Sequence, residues 1–111
     1  MLNNMRGEFA VTINDKQVEC NLNLNAFRLL SQKFKVSLQG LDKWLEGEPL
    51  EALPALAYCA AMNAAVRAGK AGPGEYERFA AAFFDHEENF EAVTQGIEAA
   101  FGQEDEPTGK E

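Results

Sequence analysis

The chain has 111 residues, 46% of them hydrophobic, and its 10 Lys and Arg against 18 Asp and Glu give a formal net charge of -8. This length and composition are typical of one globular domain and exclude two full-sized cores. The acidic balance argues against nonspecific binding to nucleic acid or to an anionic membrane surface, because both require a basic field.

Two segments near the N-terminus alternate between apolar and polar residues, which is typical of strands with one buried face. They cover residues 8–13 and 18–24, and residues 14–17 between them include Asn and Asp, which tolerate the left-handed backbone of tight turns. The pattern predicts a β-hairpin over about residues 8–24, whose apolar face must be covered because two isolated strands are marginal in water. The residues predicted to face inward are Phe9, Val11, Ile13, Val18, Cys20, Leu22 and Leu24.

Two helices are predicted directly after the hairpin. Asn25 is a suitable N-cap for a helix over residues 26–35, where apolar residues recur at spacings of three and four. Ser37 can cap a second, short helix that contains Trp44 and ends at Gly47. The first of these helices is expected to lie across the hairpin.

A third, longer helix is predicted from about Leu50 or Pro54 to Ala68, with Pro54 in or near its first turn. Its apolar stripe consists mostly of alanines, which let a neighbouring helix approach closely. We therefore expect this helix to be central, with Leu56 in the core.

The segment Gly72-Pro73-Gly74 is the strongest break in the chain. It separates a fourth helix, predicted from Glu75 to about Phe84, from the elements before it. A fifth helix is predicted over about residues 89–101, where apolar residues again recur at helical spacing.

These elements predict a mostly helical α+β fold with an N-terminal β-hairpin followed by about five helices. A single globular domain is expected over residues 1–102, with its helices within residues 26–101. Residues 103–111 are polar and acidic without apolar anchors, which predicts a disordered tail.

Charge is divided unevenly along the chain. Residues 1–45 carry a net charge of +2 and residues 46–111 carry -10, with nine acids and one base from Asp85 onward. The C-terminal part is therefore the expected place for a charge-guided partner. In the N-terminal part, the argument against nucleic-acid binding rests on the small size of the basic cluster, which consists of Arg28, Lys33 and Lys35.

Few residues suit catalysis or the binding of a cofactor. His86 is the only histidine and lies in a charged connection between two predicted helices, where a solvated side chain is expected rather than a catalytic base. The acids around it lack the spacing of an EF-hand loop. Cys20 and Cys59 form no CxxC motif and are expected to be buried thiols rather than a disulfide. We expect no enzymatic activity, no cofactor and no metal site.

No segment is long and apolar enough to span a bilayer, so no membrane partner is expected. The first nine residues lack the apolar run of a signal peptide, which predicts a cytoplasmic protein. A cytoplasmic location also agrees with the expectation of reduced cysteines.

Four aromatic residues are candidates for contact with a partner protein: Trp44, Phe83, Phe84 and Phe101. Consecutive residues on a helix point about 100° apart, so Phe83 and Phe84 cannot both face the centre of one narrow stripe. One of the two is then left to meet a partner. The alternative is that a small domain uses all four residues in a wide aromatic core.

A further pattern lies in the first half of the chain. Its parts are the opening Arg6-Gly7-Glu8-Phe9, a first strand VTIN, a second strand VECNLNLNAF and the following FRLLSQKFKVSLQGLDKWL. Together with the order of hairpin, helix, short Leu- and Trp-bearing helix and long Ala-rich helix, this pattern resembles the small tail assembly chaperones of long-tailed phages, prophages and gene transfer agents. The resemblance covers about residues 5–68.

The resemblance implies a non-enzymatic chaperone in the cytosol of a bacterial host. Members of this family bind the tape measure protein and the tail tube protein during tail morphogenesis. The alternative function is a small cytosolic adaptor or regulatory protein-interaction domain. Such an adaptor would form a homo-oligomer through its Ala-rich helix.

Overall fold

The structure, a computed structural model, describes residues 7–108, with side chains described as far as residue 100. Its elements in chain order are β1 (Glu8–Ile13), β2 (Lys16–Asn21), α1 (Leu24–Phe34), α2 (Leu41–Gly47), α3 (Pro49–Ala68), α4 (Tyr76–Phe83) and α5 (Glu88–Thr108). The predicted mostly helical α+β fold is confirmed, because an antiparallel two-stranded hairpin precedes five helices. Within residues 7–108, no helix has the length and apolar character needed to cross a membrane.

The turn of the hairpin is tighter than the sequence pattern predicted. Strand β2 begins at Lys16, so only Asn14 and Asp15 separate it from β1. Both turn residues have positive φ angles, 54° and 66°. Positive φ at both central positions defines a type I′ turn, whose twist matches that of the flanking strands.

The register of the hairpin separates an apolar face from a polar one. Phe9 lies opposite Cys20, and Val11 lies opposite Val18. Val11 and Cys20 are buried in the core, which confirms the predicted inward face. The other face carries Glu8, Ala10, Thr12, Gln17, Glu19 and Asn21.

Helix α1 begins earlier than predicted, so Leu24 lies in this helix and not in the second strand. The N-cap is Asn23 rather than Asn25, because the Asn23 side-chain oxygen accepts hydrogen bonds from the backbone N–H groups of Asn25 and Ala26 at 3.0 and 3.2 Å. A side chain that caps a helix offers the backbone N–H groups an alternative to strand hydrogen bonds. Strand β2 therefore ends before the alternation of apolar and polar residues ends. Leu24, predicted to face inward, is the first helical residue and is 78% exposed.

Helices α2 and α3 also differ from the prediction near their first turns. Helix α2 begins at Leu41, because the Ser37 hydroxyl accepts a hydrogen bond from the backbone N–H of Gly40 and closes a turn instead of capping a helix. Helix α3 begins at Pro49, which places Pro54 beyond the first turn. Pro54 therefore has no N–H to donate to the carbonyl of Leu50, four residues earlier.

Helix α3 lies at the centre of the molecule, as predicted. It contacts β2, α1, α2, α4 and α5, and Leu56 within it is completely buried. Cys20 and Cys59 are free and buried, and burial raises the pKa of both thiols, that of Cys59 to about 12. Both thiols are therefore protonated and unreactive at neutral pH.

Helix α5 packs along β1 and is longer than predicted. Gly96 marks the closest approach, since a Cβ atom at this position would overlap the Phe9 ring. The helix continues through Thr108, so residues 103–108 of the predicted disordered tail are helical. The rest of that predicted tail, residues 109–111, lies outside the described residues.

Two buried asparagines connect the hairpin to the helices. Asn89 accepts a hydrogen bond of 2.8 Å from the backbone N–H of Thr12 and donates bonds of 2.9 and 3.0 Å to the carbonyls of Thr12 and Phe83. Asn63 donates to the carbonyl of Asn21 at 2.9 Å. At the outer edge of β1, the Asn89 amide thus forms the two hydrogen bonds with the Thr12 backbone that a neighbouring strand would otherwise form.

Candidate partner-binding site

The structure separates the four aromatic residues that the sequence singled out. Phe83 is completely buried, so it is a core residue and its assignment to a partner surface is wrong. Phe84 is 41% exposed, and Trp44 is half-buried in α2. Phe101 lies in α5, but its side chain is outside the described residues.

The geometry of α4 explains why Phe83 and Phe84 differ. Tyr76, Phe79 and Phe83 recur at helical spacing and turn one side of α4 toward the core, where Phe79 and Phe83 are fully enclosed. Phe84 directly follows the helix and points away from this side. Its ring packs against the rings of Phe83 and Phe90, with centroids 5.5 and 5.6 Å away. The remaining surface of the Phe84 ring is open to solvent.

An open groove lies between the first turns of α3 and helix α4, and we call it the α3–α4 groove. Its volume is about 280 Å³. Leu50, which is 66% exposed, and Phe84 belong to its lining. The complete set of described lining residues is Leu50, Glu51, Pro54, Tyr76, Glu77, Ala80, Ala81 and Phe84.

The rim of the α3–α4 groove is acidic. Burial raises the pKa of Tyr76 to about 12, and the carboxylates of Glu51 and Glu77 add to this shift. The Tyr76 hydroxyl is therefore neutral at physiological pH. On α4, Arg78 lies 3.6 Å from Glu75 in an exposed ion pair, an arrangement that contributes little to stability. The groove thus combines an apolar floor with two carboxylates.

Trp44 is connected to the α3–α4 groove by a series of aromatic rings. The centroids of Trp44 and Phe34 are 6.2 Å apart, and those of Phe34 and Tyr76 are 5.0 Å apart. Tyr76 itself lines the groove. Phe34 and Tyr76 therefore connect Trp44 to the groove that Phe84 also lines, and Trp44 and Phe84 are two of the predicted partner-binding residues.

The α3–α4 groove has few polar groups. Among its described lining residues, the polar groups are two carboxylates and one tyrosine hydroxyl, with no histidine, cysteine, serine or basic residue. In the part of the chain that the structure describes, no cluster of three or more His, Cys, Asp or Glu side chains is arranged to hold a metal ion.

His86 lies between two carboxylates, away from the α3–α4 groove lining. Its Nε2 atom is 3.8 Å from the Asp15 carboxylate, and its Nδ1 atom is 3.6 Å from the Glu88 carboxylate. The histidine is half-buried rather than fully solvated, whereas both acids are exposed. Water therefore continues to solvate Asp15 and Glu88 if the imidazole is removed.

We expect His86→Ala to change the free energy of unfolding by less than about 0.5 kcal/mol at neutral pH, because both carboxylates that it contacts are exposed and contacts of that kind contribute little. Urea denaturation of both proteins measures this difference. The variant Glu88→Gln, which removes one of the two contacts and keeps the ring, is the control. A loss of more than about 1 kcal/mol in His86→Ala alone would assign the imidazole a structural role in the connection between α4 and α5.

Several residues of the groove were not predicted from the sequence, above all Leu50 and Tyr76. By spacing, both belong to the apolar stripes of their helices, and local sequence gives no sign that Leu50 is exposed. The one available signal was the consecutive pair Phe83 and Phe84, which requires one ring to leave the core. Comparisons of the chain with protein-family models, with curated proteins and with solved structures gave no match.

Proposed function

We propose that the protein is a non-enzymatic tail assembly chaperone of a long-tailed phage or prophage, acting in the cytoplasm of the bacterial host. Its clients are the tape measure protein and the tail tube protein, which it holds during tail morphogenesis. The observation that carries the proposal is the α3–α4 groove, an exposed apolar surface with an acidic rim. The resemblance of residues 5–68 to tail assembly chaperones supplies the class of client.

The shape and lining of the groove suit one face of an amphipathic client helix. Such a helix places apolar side chains at intervals of three and four residues, and a groove between two helices accepts them. Leu50 and Phe84 are the anchors on the chaperone side, because each has apolar surface left to bury. Full burial of an exposed Leu or Phe side chain contributes about 1.5–3 kcal/mol.

The acidic rim favours clients that carry Lys or Arg beside their apolar residues. Glu51 and Glu77 both line the groove, so a basic flank on the client meets a carboxylate on either helix. Pairing of this kind increases the association rate and selects the orientation of the client more than it adds affinity. Client binding should therefore weaken as ionic strength increases.

We expect the double variant Leu50→Ser/Phe84→Ser to retain its fold and to lose client binding. Co-expression of the protein with the tape measure and tail tube proteins, whose genes this proposal expects beside its own, followed by affinity purification, measures the binding. Each lost anchor should weaken the complex by about tenfold or more. Circular dichroism verifies the fold.

The matched control for this experiment is Val66→Ser. Val66 is also in α3 and is 70% exposed, but it lies outside the lining of the groove. The Val66→Ser variant should bind the clients as the wild-type protein does. If the wild-type protein co-purifies with neither client, the chaperone proposal is wrong. If the double variant binds as well as the control, the clients use another surface.

A further inference from the structure

Helix α4 has a second face besides the one that packs on the core. Glu77, Ala80, Ala81 and Phe84 recur at spacings of three and four residues, and all four line the α3–α4 groove. Phe84 directly follows the helix, but its φ and ψ angles of -80° and -5° keep it in the right-handed helical region. These four residues therefore form one stripe along the groove, which we call the α4 stripe.

The two ends of the α4 stripe differ in chemistry. Glu77 lies at one end and Phe84 at the other, seven positions apart, which corresponds to about 10 Å along a helix. Ala80 and Ala81 lie between them, and their small side chains let a partner helix approach closely. The groove is thus acidic at the start of α4 and aromatic after its end.

The carboxylate at the acidic end is not neutralised. Arg78, next to Glu77, lies 3.6 Å from Glu75 instead. Among the described residues, neither Glu77 nor Glu51 of α3 takes part in an ion pair. Besides burial, both carboxylates raise the pKa of Tyr76, so both act on this part of the groove. A basic group on a partner supplies the charge that this end lacks.

We propose that the α3–α4 groove recognises a client helix that carries an apolar residue and a Lys or Arg seven positions apart on one face. The apolar residue packs on Phe84, and the basic residue pairs with Glu77. In an α-helix, residues seven positions apart share a face and lie about 10 Å apart, which matches the length of the α4 stripe. A second apolar residue, three or four positions from the first, lies over Ala80 and Ala81.

This register rests on the proposed chaperone function and defines which helical segments of a client the groove accepts. A segment with acidic residues at the same spacing is rejected, because it would meet Glu77 with a like charge. A segment with its basic residues on the opposite face gains nothing from Glu77. Position on the helix therefore matters as well as net charge.

The experiment measures the binding of helical peptides to the full chain by fluorescence anisotropy. Protein concentrations extend to roughly 1 mM, because a few side-chain contacts give weak affinity. The matched peptide, of about 20 residues, consists of Ala and Gln with a central Leu, a Leu four positions on either side of it, and a Lys seven positions on either side. Either direction of binding then presents one Lys to Glu77.

A displaced peptide of the same composition is the first control. Each Lys is moved to nine positions from the central Leu, which places it on the opposite face of the helix. The displaced peptide should bind at least about fivefold more weakly than the matched peptide at low ionic strength.

Charge reversal tests the contact with Glu77 directly. Glu77→Lys should weaken binding of the matched peptide by about fivefold or more, and this variant should prefer a peptide in which Glu replaces each Lys. The control Glu98→Lys makes the same change in net charge at an exposed position of α5 outside the groove lining, so it should bind the matched peptide as the wild-type protein does. Glu77 is exposed, so the fold should persist, and circular dichroism verifies this.

A wild-type protein that binds the matched and displaced peptides equally, or binds neither, overturns the proposed register. So does a Glu77→Lys variant that binds the matched peptide as well as Glu98→Lys does. Failure of the chaperone proposal appears elsewhere, as the absence of both phage proteins from the co-purification. Clients that co-purify with a protein whose peptide binding ignores the position of Lys would leave the chaperone proposal intact and show that the register is wrong.

Discussion

Leu56→Asp is expected to prevent folding at neutral pH. Leu56 is completely buried in α3, the helix that contacts β2 and all four other helices. Loss of its packing costs about 2–5 kcal/mol, and burial of an unpaired carboxylate adds several more. The sum is comparable with the whole stability of a domain of this size, about 5–15 kcal/mol. Far-UV circular dichroism and thermal denaturation measure the outcome.

Leu50→Asp is the matched control for this substitution. Leu50 lies in the same helix and undergoes the same chemical change, but it is 66% exposed, so its carboxylate stays hydrated. The control should melt cooperatively within a few degrees of the wild-type protein. A cooperative, wild-type-like transition in Leu56→Asp would contradict the central position of α3.

Asn89→Asp is expected to destabilise the protein by about 3–5 kcal/mol at pH 7. The Asn89 side chain is buried, and its amide nitrogen donates hydrogen bonds to the carbonyls of Thr12 and Phe83. A carboxylate at this position has no hydrogen to donate and directs its negative charge at both oxygens. Equilibrium urea denaturation measures the loss.

The destabilisation of Asn89→Asp should depend on pH in a defined direction. Burial and the two carbonyls raise the pKa of the introduced carboxyl group in the folded state above its unfolded value of about 3.9. The deficit relative to the wild-type protein is therefore smallest below that unfolded pKa. It increases as the pH increases and is complete above the folded pKa. Equal deficits at pH 4 and pH 7 would contradict the bonds assigned to Asn89.

Gln95→Glu is the control for this pair of measurements. Gln95 is an exposed amide on α5, where its Nε2 atom lies 3.4 Å from the Glu91 carboxylate. The substitution makes the same change from amide to acid, but in contact with solvent. Its effect should stay below about 0.5 kcal/mol at both pH values.

The sequence predicts the elements of this fold because their signals are local. The alternation at Phe9, Val11 and Ile13 is enough to indicate a strand, and the Gly and Pro residues at 72–74 are enough to indicate a break between two helices. The ends of the elements are harder to predict. Asn23 and Asn25 are equally good caps by type, and the choice between them depends on which side chain reaches the first free N–H groups of α1.

The long-range polar contacts have no local signal. Nothing around Asn89 indicates that its amide meets Thr12, and nothing around Asn63 indicates the carbonyl of Asn21. For the same reason, only the part of the candidate site that has a local signal could be predicted from the sequence. Phe84 follows Phe83, which is a local observation, whereas the exposure of Leu50 depends on how α3 and α4 pack together.

The bond between Thr12 and Asn89 spans 77 positions of the chain, and this separation bears on synthesis. Ribosomes add about 5–20 residues per second, so Asn89 follows Thr12 by about 4–15 s. During that time a nascent hairpin has two open edges and can pair with other nascent chains. Truncated products that end before α5 should therefore aggregate more readily than the complete protein.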